Sequence, residues 1–151
     1  LPPNQGPGVL RSRALIVAEL DALRASGVAS EDIVLFGFSQ GCLMAIDVGL
    51  RYPHRLGGVC GISGYMHFVD RLDEIVPEAK QAAWLVTHGT HDELLPIDRT
   101  RAAMQRLRAA GIPVEWHELD KEHSIDPHVE LPLLRRWFAA RLAAPSTRKD
   151  P

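Results

Sequence analysis

The stretch DIVLFGFSQGCLMAID, residues 32–47, passes from an apolar run to a segment with helical spacing through one short turn. The run 32–38 shows almost no alternation of polar and apolar residues, which is typical of a parallel strand covered on both faces. The turn places Ser39 between Gly37 and Gly41, in the pattern G-x-S-x-G. A serine at such a junction has a strained backbone, and its neighbours approach each other closely. We therefore expect that a Cβ atom at either glycine would collide with the crossing chain.

The same turn gives Ser39 a chemical role. It holds the hydroxyl clear of the sheet, at the N-terminus of the helix that begins near Gln40. The Gln40 amide and the helix dipole then face the point where an oxyanion would develop. The alternative to a catalytic role is a plain Gly-Ser turn, because a chain with 12 glycines can contain the G-x-S-x-G pattern by chance. The position after a buried strand and before a helix favours a nucleophile.

Strands and helices alternate on both sides of this turn. Seven residues from Leu10 to Leu23 are expected to share the apolar face of a helix at 10–26. Further strands are predicted at 56–63, 82–89 and 113–120, and further helices at 40–52, 97–111 and 126–144, the last in spite of Pro132. This order indicates an α/β fold with a parallel sheet and right-handed crossovers. We expect residues 1–144 to form a single domain and residues 145–151 to form a flexible tail.

Composition and charge exclude several classes of protein. A chain of 151 residues, 46% hydrophobic and 24% charged, is ordinary for one globular domain. Its net charge of −2 gives no reason to expect nucleic acid or an anionic membrane as a partner. No apolar stretch approaches the roughly 20 residues that span a bilayer. Cys42 and Cys60 form neither a metal-ligand spacing nor a disulfide framework, so we expect buried, reduced thiols and a cytoplasmic location.

Catalytic and binding residues of parallel sheets collect at the carboxyl ends of the strands. Besides Ser39, those ends carry Asp92 and His123, in the segments HGTHDELLP and DKEHSID. The order serine, acid, histidine suits a nucleophile, an orienting acid and a general base. Asp120 is the alternative acid.

The segment after the third predicted strand also raises the question of a metal site. His88, His91 and Asp92 offer ligand atoms there. An H-x-x-H-D run at a strand end lacks a recurrent zinc geometry, however, and no clear further ligand accompanies it. We therefore expect no metal.

These motifs carry a resemblance to a known family. GFSQG, followed in order by LMAIDVGLRYP, GISGYM, HGTHDELLP and EHSI, resembles the α/β-hydrolases of the phospholipase/carboxylesterase family, which includes acyl-protein thioesterases. The resemblance implies Ser39, Asp92 and His123 as a catalytic triad, Gln40 as one oxyanion donor, and no metal or organic cofactor. It covers most of residues 8–142.

The resemblance has two departures and one larger gap. Cys42 and Glu122 stand where the family usually has glycine. Relatives also begin with strands and a Gly-rich loop that supplies a second oxyanion amide, which LPPNQGPGV does not provide. The resemblance implies an α/β-hydrolase-type three-layer sandwich, of which this chain would hold the C-terminal half of a mostly parallel sheet with helices on both faces. We expect the domain to be N-terminally incomplete, with strand 32–38 at an edge.

The resemblance further implies an ester or thioester substrate that is cleaved through an acyl-enzyme. Segment 65–82 is too short for a large cap, so we expect an open groove flanked by Met66, Phe68, Leu94 and Leu95. Ordinary loop packing is the alternative for each of these side chains. Short- to medium-chain acyl esters are the predicted substrates. The alternatives to an esterase are an amidase or peptidase of the same fold and a non-catalytic interaction protein. The sequence leaves open whether the protein forms a homodimer.

Overall fold

The structure is a computed structural model, and it describes residues 5–142. In that part of the chain four parallel strands form one sheet in the order β1-β2-β3-β4. The strands are β1 (Val34–Phe38), β2 (Gly58–Ile62), β3 (Ala83–Gly89) and β4 (Val114–Leu119). The helices are α1 (Gly6–Ala25), α2 (Gln40–Arg51), α3 (Ile97–Ala109) and α4 (Glu130–Leu142), with 3₁₀ turns at Ser30–Asp32, Leu72–Glu74 and Pro77–Gln81. The predicted order of strands and helices is confirmed.

Helices cover both faces of the sheet. Successive side chains along a strand point to opposite sides, and the apolar side chains on each side pack against helices. On one face Val59 and Trp84 belong to the larger core cluster, together with residues of α1, α2 and α3. On the other face Cys60 and Leu85 pack against Trp137 of α4. This gives the three-layer α/β architecture that the family resemblance implies.

Helix α2 connects the first strand to the core. Its buried residues include Cys42 and almost every position as far as Leu50. The buried carboxylate of Asp47 pairs with Arg13 of α1 at 2.6 Å and with Arg51 at 2.9 Å. Because the charge is paired on both sides, α2 can lie in the core and hold its N-terminus at the end of β1.

The expected apolar face of α1 was right only in part, since Leu20 is buried and Val17 packs against the larger core cluster. Leu10, Leu15 and Leu23 are 50%, 70% and 42% exposed, whereas the buried residues of the helix are Val9 and Leu20. The physical reason is that α1 packs mainly on α2, so only a narrow stripe of the helix is covered.

Strand β1 lies at an edge of the described sheet, as expected. The expectation that the run 32–38 is covered on both faces was wrong, because Phe36 is 51% exposed and Phe38 is 37% exposed. The apolar run shows that the strand is hydrophobic, but it does not show how much of each face other elements cover.

Helix α4 begins at Glu130, later than the predicted residue 126. The carboxylate of Asp126 accepts the N–H groups of Val129, at 2.6 Å, and of Glu130, at 3.4 Å, so Asp126 caps the helix instead of belonging to it. Pro132 lies in the first turn, where proline is tolerated. The predicted helix end at residue 144 and the tail 145–151 lie outside the described residues.

Candidate active site

Ser39 forms the sharp turn between β1 and α2. Its φ of 58° and ψ of −114° lie in a region that non-glycine residues rarely adopt. The N–H of Ser39 donates to the carbonyl of Ile62 at 2.8 Å, and its own carbonyl accepts the N–H of Leu43 at 3.2 Å. Both backbone groups are therefore satisfied, and β2 and α2 hold the strained turn in place.

The two glycines of the turn differ in what surrounds them. A Cβ atom on Gly37 would overlap the backbone of Gly41 and the amide of Cys42. A Cβ atom on Gly41 would have no neighbouring atom within 4 Å. The expected collision is confirmed for Gly37 and was wrong for Gly41, because the crossing brings the backbone of Gly41, and not its Cα hydrogens, against Gly37.

Three side chains from three different strand ends form one line of hydrogen bonds. Nε2 of His123 lies 3.1 Å from Oγ of Ser39, and Nδ1 of His123 lies 2.7 Å from Oδ2 of Asp92. A proton on Nδ1 satisfies the contact with Asp92 and leaves Nε2 able to accept from the serine hydroxyl. The side chains that the order along the chain singled out are thus brought together at the carboxyl edge of the sheet.

The carboxylate of Asp92 is buried and has a second set of partners. Its Oδ1 accepts the backbone N–H groups of Leu94 at 3.0 Å and of Leu95 at 2.8 Å. Burial disfavours the charged form, but the Leu95 amide and His123 outweigh it, so the pKa of Asp92 lies below its ordinary value. Asp92 is therefore held ionised and in a fixed orientation beside the imidazole.

The alternative acid, Asp120, does not reach His123. Its side chain is 92% exposed and pairs with Nε2 of His91 at 2.7 Å. The neighbouring His88 is buried, with Nε2 at 2.7 Å from the carbonyl of Leu95. Burial lowers the pKa of His88, against the effect of that carbonyl. Among residues 5–142, no group of three or more His, Cys, Asp or Glu side chains could hold a metal ion.

The side chains expected to flank a substrate groove lie in different surroundings. Met66 is 3% exposed and belongs to the larger core cluster, so its side chain packs inside the domain and does not flank an open groove. The side chain of Leu94 is 73% exposed, whereas Leu95 packs against a small apolar cluster. The ring of Phe68 has the guanidinium groups of three arginines within 6 Å, one of them Arg13. The expectation for Met66 was wrong, because a one-dimensional pattern does not show which side of a loop faces the core.

An open cavity of about 310 Å³ lies between the first turns of α1 and of α2, and Gln40, the residue after Ser39, is part of its lining. Its other lining residues include Leu43 and Met44 of α2, and Val9 and Arg11 of α1. No local sequence pattern marks this cavity, because the start of α1 and the start of α2 are more than 30 residues apart in the chain. Gln40 is exposed, at the N-terminal end of α2.

Both cysteines are buried and free. Burial raises the pKa of Cys42 to about 12 and that of Cys60 to about 12. The two thiols are therefore protonated at neutral pH, which makes them poor nucleophiles. In the part of the chain that the structure covers, no helix has both the length and the apolar character needed to cross a bilayer.

Known proteins are similar to this chain in both sequence and fold. The family model described as phospholipase/carboxylesterase matches residues 4–132. Acyl-protein thioesterase 1 of Aspergillus fumigatus is 34% identical over 141 residues, which cover 87% of this chain and 56% of that protein. Carboxylesterase SOBER1 of Arabidopsis thaliana is 31% identical over 147 residues, which cover 96% of this chain and 64% of that protein.

Solved structures of related proteins are also similar to this chain. The crystal structure of Arabidopsis thaliana SOBER1 superposes with a TM-score of 0.82 at 30% identity, covering 89% of this chain and 64% of that one. Acyl-protein thioesterase 2 of Zea mays has the same fold, with a TM-score of 0.74 at 22% identity. The chain spans about half the length of the curated relatives that it matches, 56% of the Aspergillus fumigatus protein and 45% of acyl-protein thioesterase 1 of Schizosaccharomyces pombe.

Proposed function

The chain belongs to the phospholipase/carboxylesterase family, since the model of that family matches residues 4–132, and from this premise we propose that it is an esterase or thioesterase with Ser39 as nucleophile. The observation that carries the proposal is the line from Ser39 through His123 to Asp92, with contacts of 3.1 and 2.7 Å. Family membership alone does not decide activity. A relative from Oryza sativa subsp. japonica, 32% identical over 131 residues, is named a probable inactive carboxylesterase.

In the proposed reaction, Nε2 of His123 takes the hydroxyl proton of Ser39 while Oγ attacks the acyl carbon. Asp92 accepts the Nδ1–H group, which keeps the imidazole in the reactive tautomer and stabilises its charged form. The oxyanion forms in front of the Gln40 amide, where the N-terminus of α2 favours negative charge. His123 then passes the proton to the leaving alcohol or thiol, and a water activated in the same way hydrolyses the acyl-enzyme.

Esters or thioesters of short- to medium-chain acyl groups are the proposed substrates. The cavity at Gln40 measures about 310 Å³ and has apolar side chains such as Val9, Leu43 and Met44 in its wall. That volume is near the lower end of the roughly 300–1,000 Å³ that ligand sites usually have. A cytoplasmic location is proposed as well, because two buried, free thiols suit a reducing compartment.

Labelling with a fluorophosphonate tests the nucleophile. We expect the probe to modify the wild-type protein at Ser39, located by peptide mass spectrometry, and to leave the Ser39→Ala variant unmodified. A folded wild-type protein that takes up no label at Ser39 would contradict the proposal and favour a non-catalytic role.

Turnover of p-nitrophenyl esters tests the two partners of the serine. His123→Ala and Asp92→Asn should each lower kcat by at least about 10³-fold. The matched controls are His91→Ala and Asp120→Asn, which remove the neighbouring exposed pair and should stay within about twofold of wild type. Loss of activity in the controls, with activity kept in His123→Ala, would show that the base is assigned incorrectly.

Acyl-length preference tests the cavity. Met44→Trp narrows it, so the ratio of kcat/KM for octanoyl over acetyl esters should fall by about tenfold. Leu94→Ala is the control, because that side chain lies outside the cavity and is 73% exposed. If Leu94→Ala changes the ratio and Met44→Trp does not, the acyl group binds on the other side of Ser39.

A further inference from the structure

A buried ion pair lies directly beneath the loop that carries His123. Lys121 is 6% exposed and Glu130 is 0% exposed. Nζ of Lys121 lies 2.9 Å from Oε1 and 3.0 Å from Oε2 of Glu130. Fully buried lysine and glutamate are rare in proteins, and such a pair is seldom more stabilising than apolar residues of the same size. Its presence in the core therefore calls for a reason other than stability.

The ammonium group of Lys121 uses all three of its donors inside the protein. Besides Glu130, it donates to Oγ of Ser63 at 3.1 Å and to the carbonyl of Ser124 at 2.6 Å. The last contact closes a ring that runs through the backbone from residue 121 to residue 124. His123 lies within that ring, so the side chain of Lys121 limits the movement of the backbone on either side of the imidazole.

The carboxylate of Glu130 connects the ring to the rest of the fold. Its Oε1 accepts the N–H of Asp126 at 3.0 Å, at the far end of the His123 loop. Its Oε2 accepts the hydroxyl of Thr87, which belongs to the central strand β3. Through Ser63 and Thr87 the pair attaches the loop to the ends of β2 and β3, the two central strands of the described sheet.

The backbone of Lys121 also sets the loop against the one that carries Asp92. The carbonyl of Lys121 accepts the N–H of His91 at 3.1 Å, one residue before Asp92. The carbonyls of Lys121 and Glu122 lie so close over Gly89 that a Cβ atom there would overlap them. The 2.7 Å contact between His123 and Asp92 therefore depends on how this short segment lies on the end of β3.

We infer that Lys121 and Glu130 are positioning residues, which hold the His123 loop on the sheet so that the imidazole can accept the proton of Ser39. The inference rests on the proposed function, in which His123 is the base. Neither side chain touches the reacting atoms, and both act through His123. Removal of the pair should therefore lower kcat and leave substrate binding unchanged.

The test replaces both charges at once, because removal of one partner would leave the other charge buried and unpaired. Lys121→Met/Glu130→Gln should fold, as checked by its thermal unfolding. Its kcat on p-nitrophenyl esters should fall by about 10- to 100-fold, with KM within about twofold of wild type. The control is Arg101→Met/Glu118→Gln, which removes the ion pair that joins α3 to β4 and should keep kcat within about twofold.

A double-mutant cycle separates positioning from a general loss of structure. In a His123→Ala background, Lys121→Met/Glu130→Gln should cause no further loss of kcat beyond about twofold, because the group through which it acts is already absent. The same loss in both backgrounds would overturn the inference, and so would full activity in the folded double variant. If the double variant does not fold, Thr87→Val removes only the hydroxyl on Glu130 and should lower kcat about three- to tenfold at unchanged KM. Wild-type kcat in Thr87→Val would then overturn the inference.

Proton NMR gives a measurement that does not depend on turnover. The Nδ1–H proton of His123, hydrogen-bonded to Asp92, should give a downfield resonance in wild type and in Arg101→Met/Glu118→Gln. That resonance should be lost or broadened in Lys121→Met/Glu130→Gln, and its persistence would overturn the inference. If wild type has no turnover that depends on Ser39, the proposed function fails, while this measurement still decides whether the pair positions His123.

Discussion

The ring of Phe38 packs against the imidazole of His123, with ring centroids 5.0 Å apart and the planes inclined by 48°. Phe38 is the last residue of β1 and comes directly before Ser39. The strand that delivers the serine hydroxyl therefore also supports one side of the proposed base. The ion pair of Lys121 and Glu130 restrains the backbone of the same loop, so the imidazole is held from two directions.

Removal of the Phe38 ring should allow the imidazole to rotate away from Ser39. We expect Phe38→Ala to lower kcat on p-nitrophenyl esters by about tenfold with little change in KM, because small misplacements of a catalytic group are costly. Phe36→Ala is the control. Phe36 is 51% exposed and contacts the ring of Phe138. Equal effects of the two substitutions would show that the exposed aromatic strand, and not the contact with His123, matters for turnover.

The two glycines of the nucleophile turn should respond differently to the same added methyl group. Gly37→Ala should strongly lower the melting temperature or prevent folding, because the new Cβ overlaps the backbone of Gly41. Gly41→Ala should leave the free energy of unfolding unchanged or raise it by at most about 1 kcal/mol, since alanine is the better helix former. Circular dichroism during heating measures both. A Gly41→Ala variant that unfolds as readily as Gly37→Ala would contradict the geometry of the turn.

Stability should depend on pH through Asp92. Its pKa in the folded state lies below the ordinary value, so its contribution is complete above the unfolded pKa of about 3.9 and is lost as the pH falls through the folded pKa. The difference in free energy of unfolding between wild type and Asp92→Asn should thus be larger at pH 5 than at pH 3. Urea titrations at the two pH values measure this difference. A difference that grows toward pH 3 would mean that the protein stabilises the protonated form of Asp92.

The cysteines should be silent in the native protein. At pH 8, a disulfide reagent such as DTNB should modify Cys42 and Cys60 no faster than the protein unfolds, because both thiols are buried and burial raises the pKa of each to about 12. In denaturant the reagent should titrate both of the cysteines in the chain at once. Rapid modification of one thiol under native conditions would show that the core opens locally at that position.

The backbone of the site could be predicted from the sequence because its signals are local. Three local signals specify a strand, a turn and a helix. They are the apolar run before Ser39, the glycines at 37 and 41, and the helical spacing of the residues that follow. The same logic placed Asp92 and His123 just after strands, and the parallel sheet then brought them to the same edge as Ser39. The apolar face of α1 could not be predicted in this way, because the exposure of Leu15 depends on how much of the helix α2 covers.

The sequence by itself determined the order of strands and helices, the turn at Ser39 and a short set of candidate partners, because each of these depends on residues that are neighbours in the chain. Only the tertiary structure decided between Asp92 and Asp120, assigned Met66 to the core and paired Lys121 with Glu130. Those outcomes depend on strand register and on which side chains exclude water together. Contacts of that kind join residues that lie in different strands, helices and loops, and no local pattern of residues encodes them.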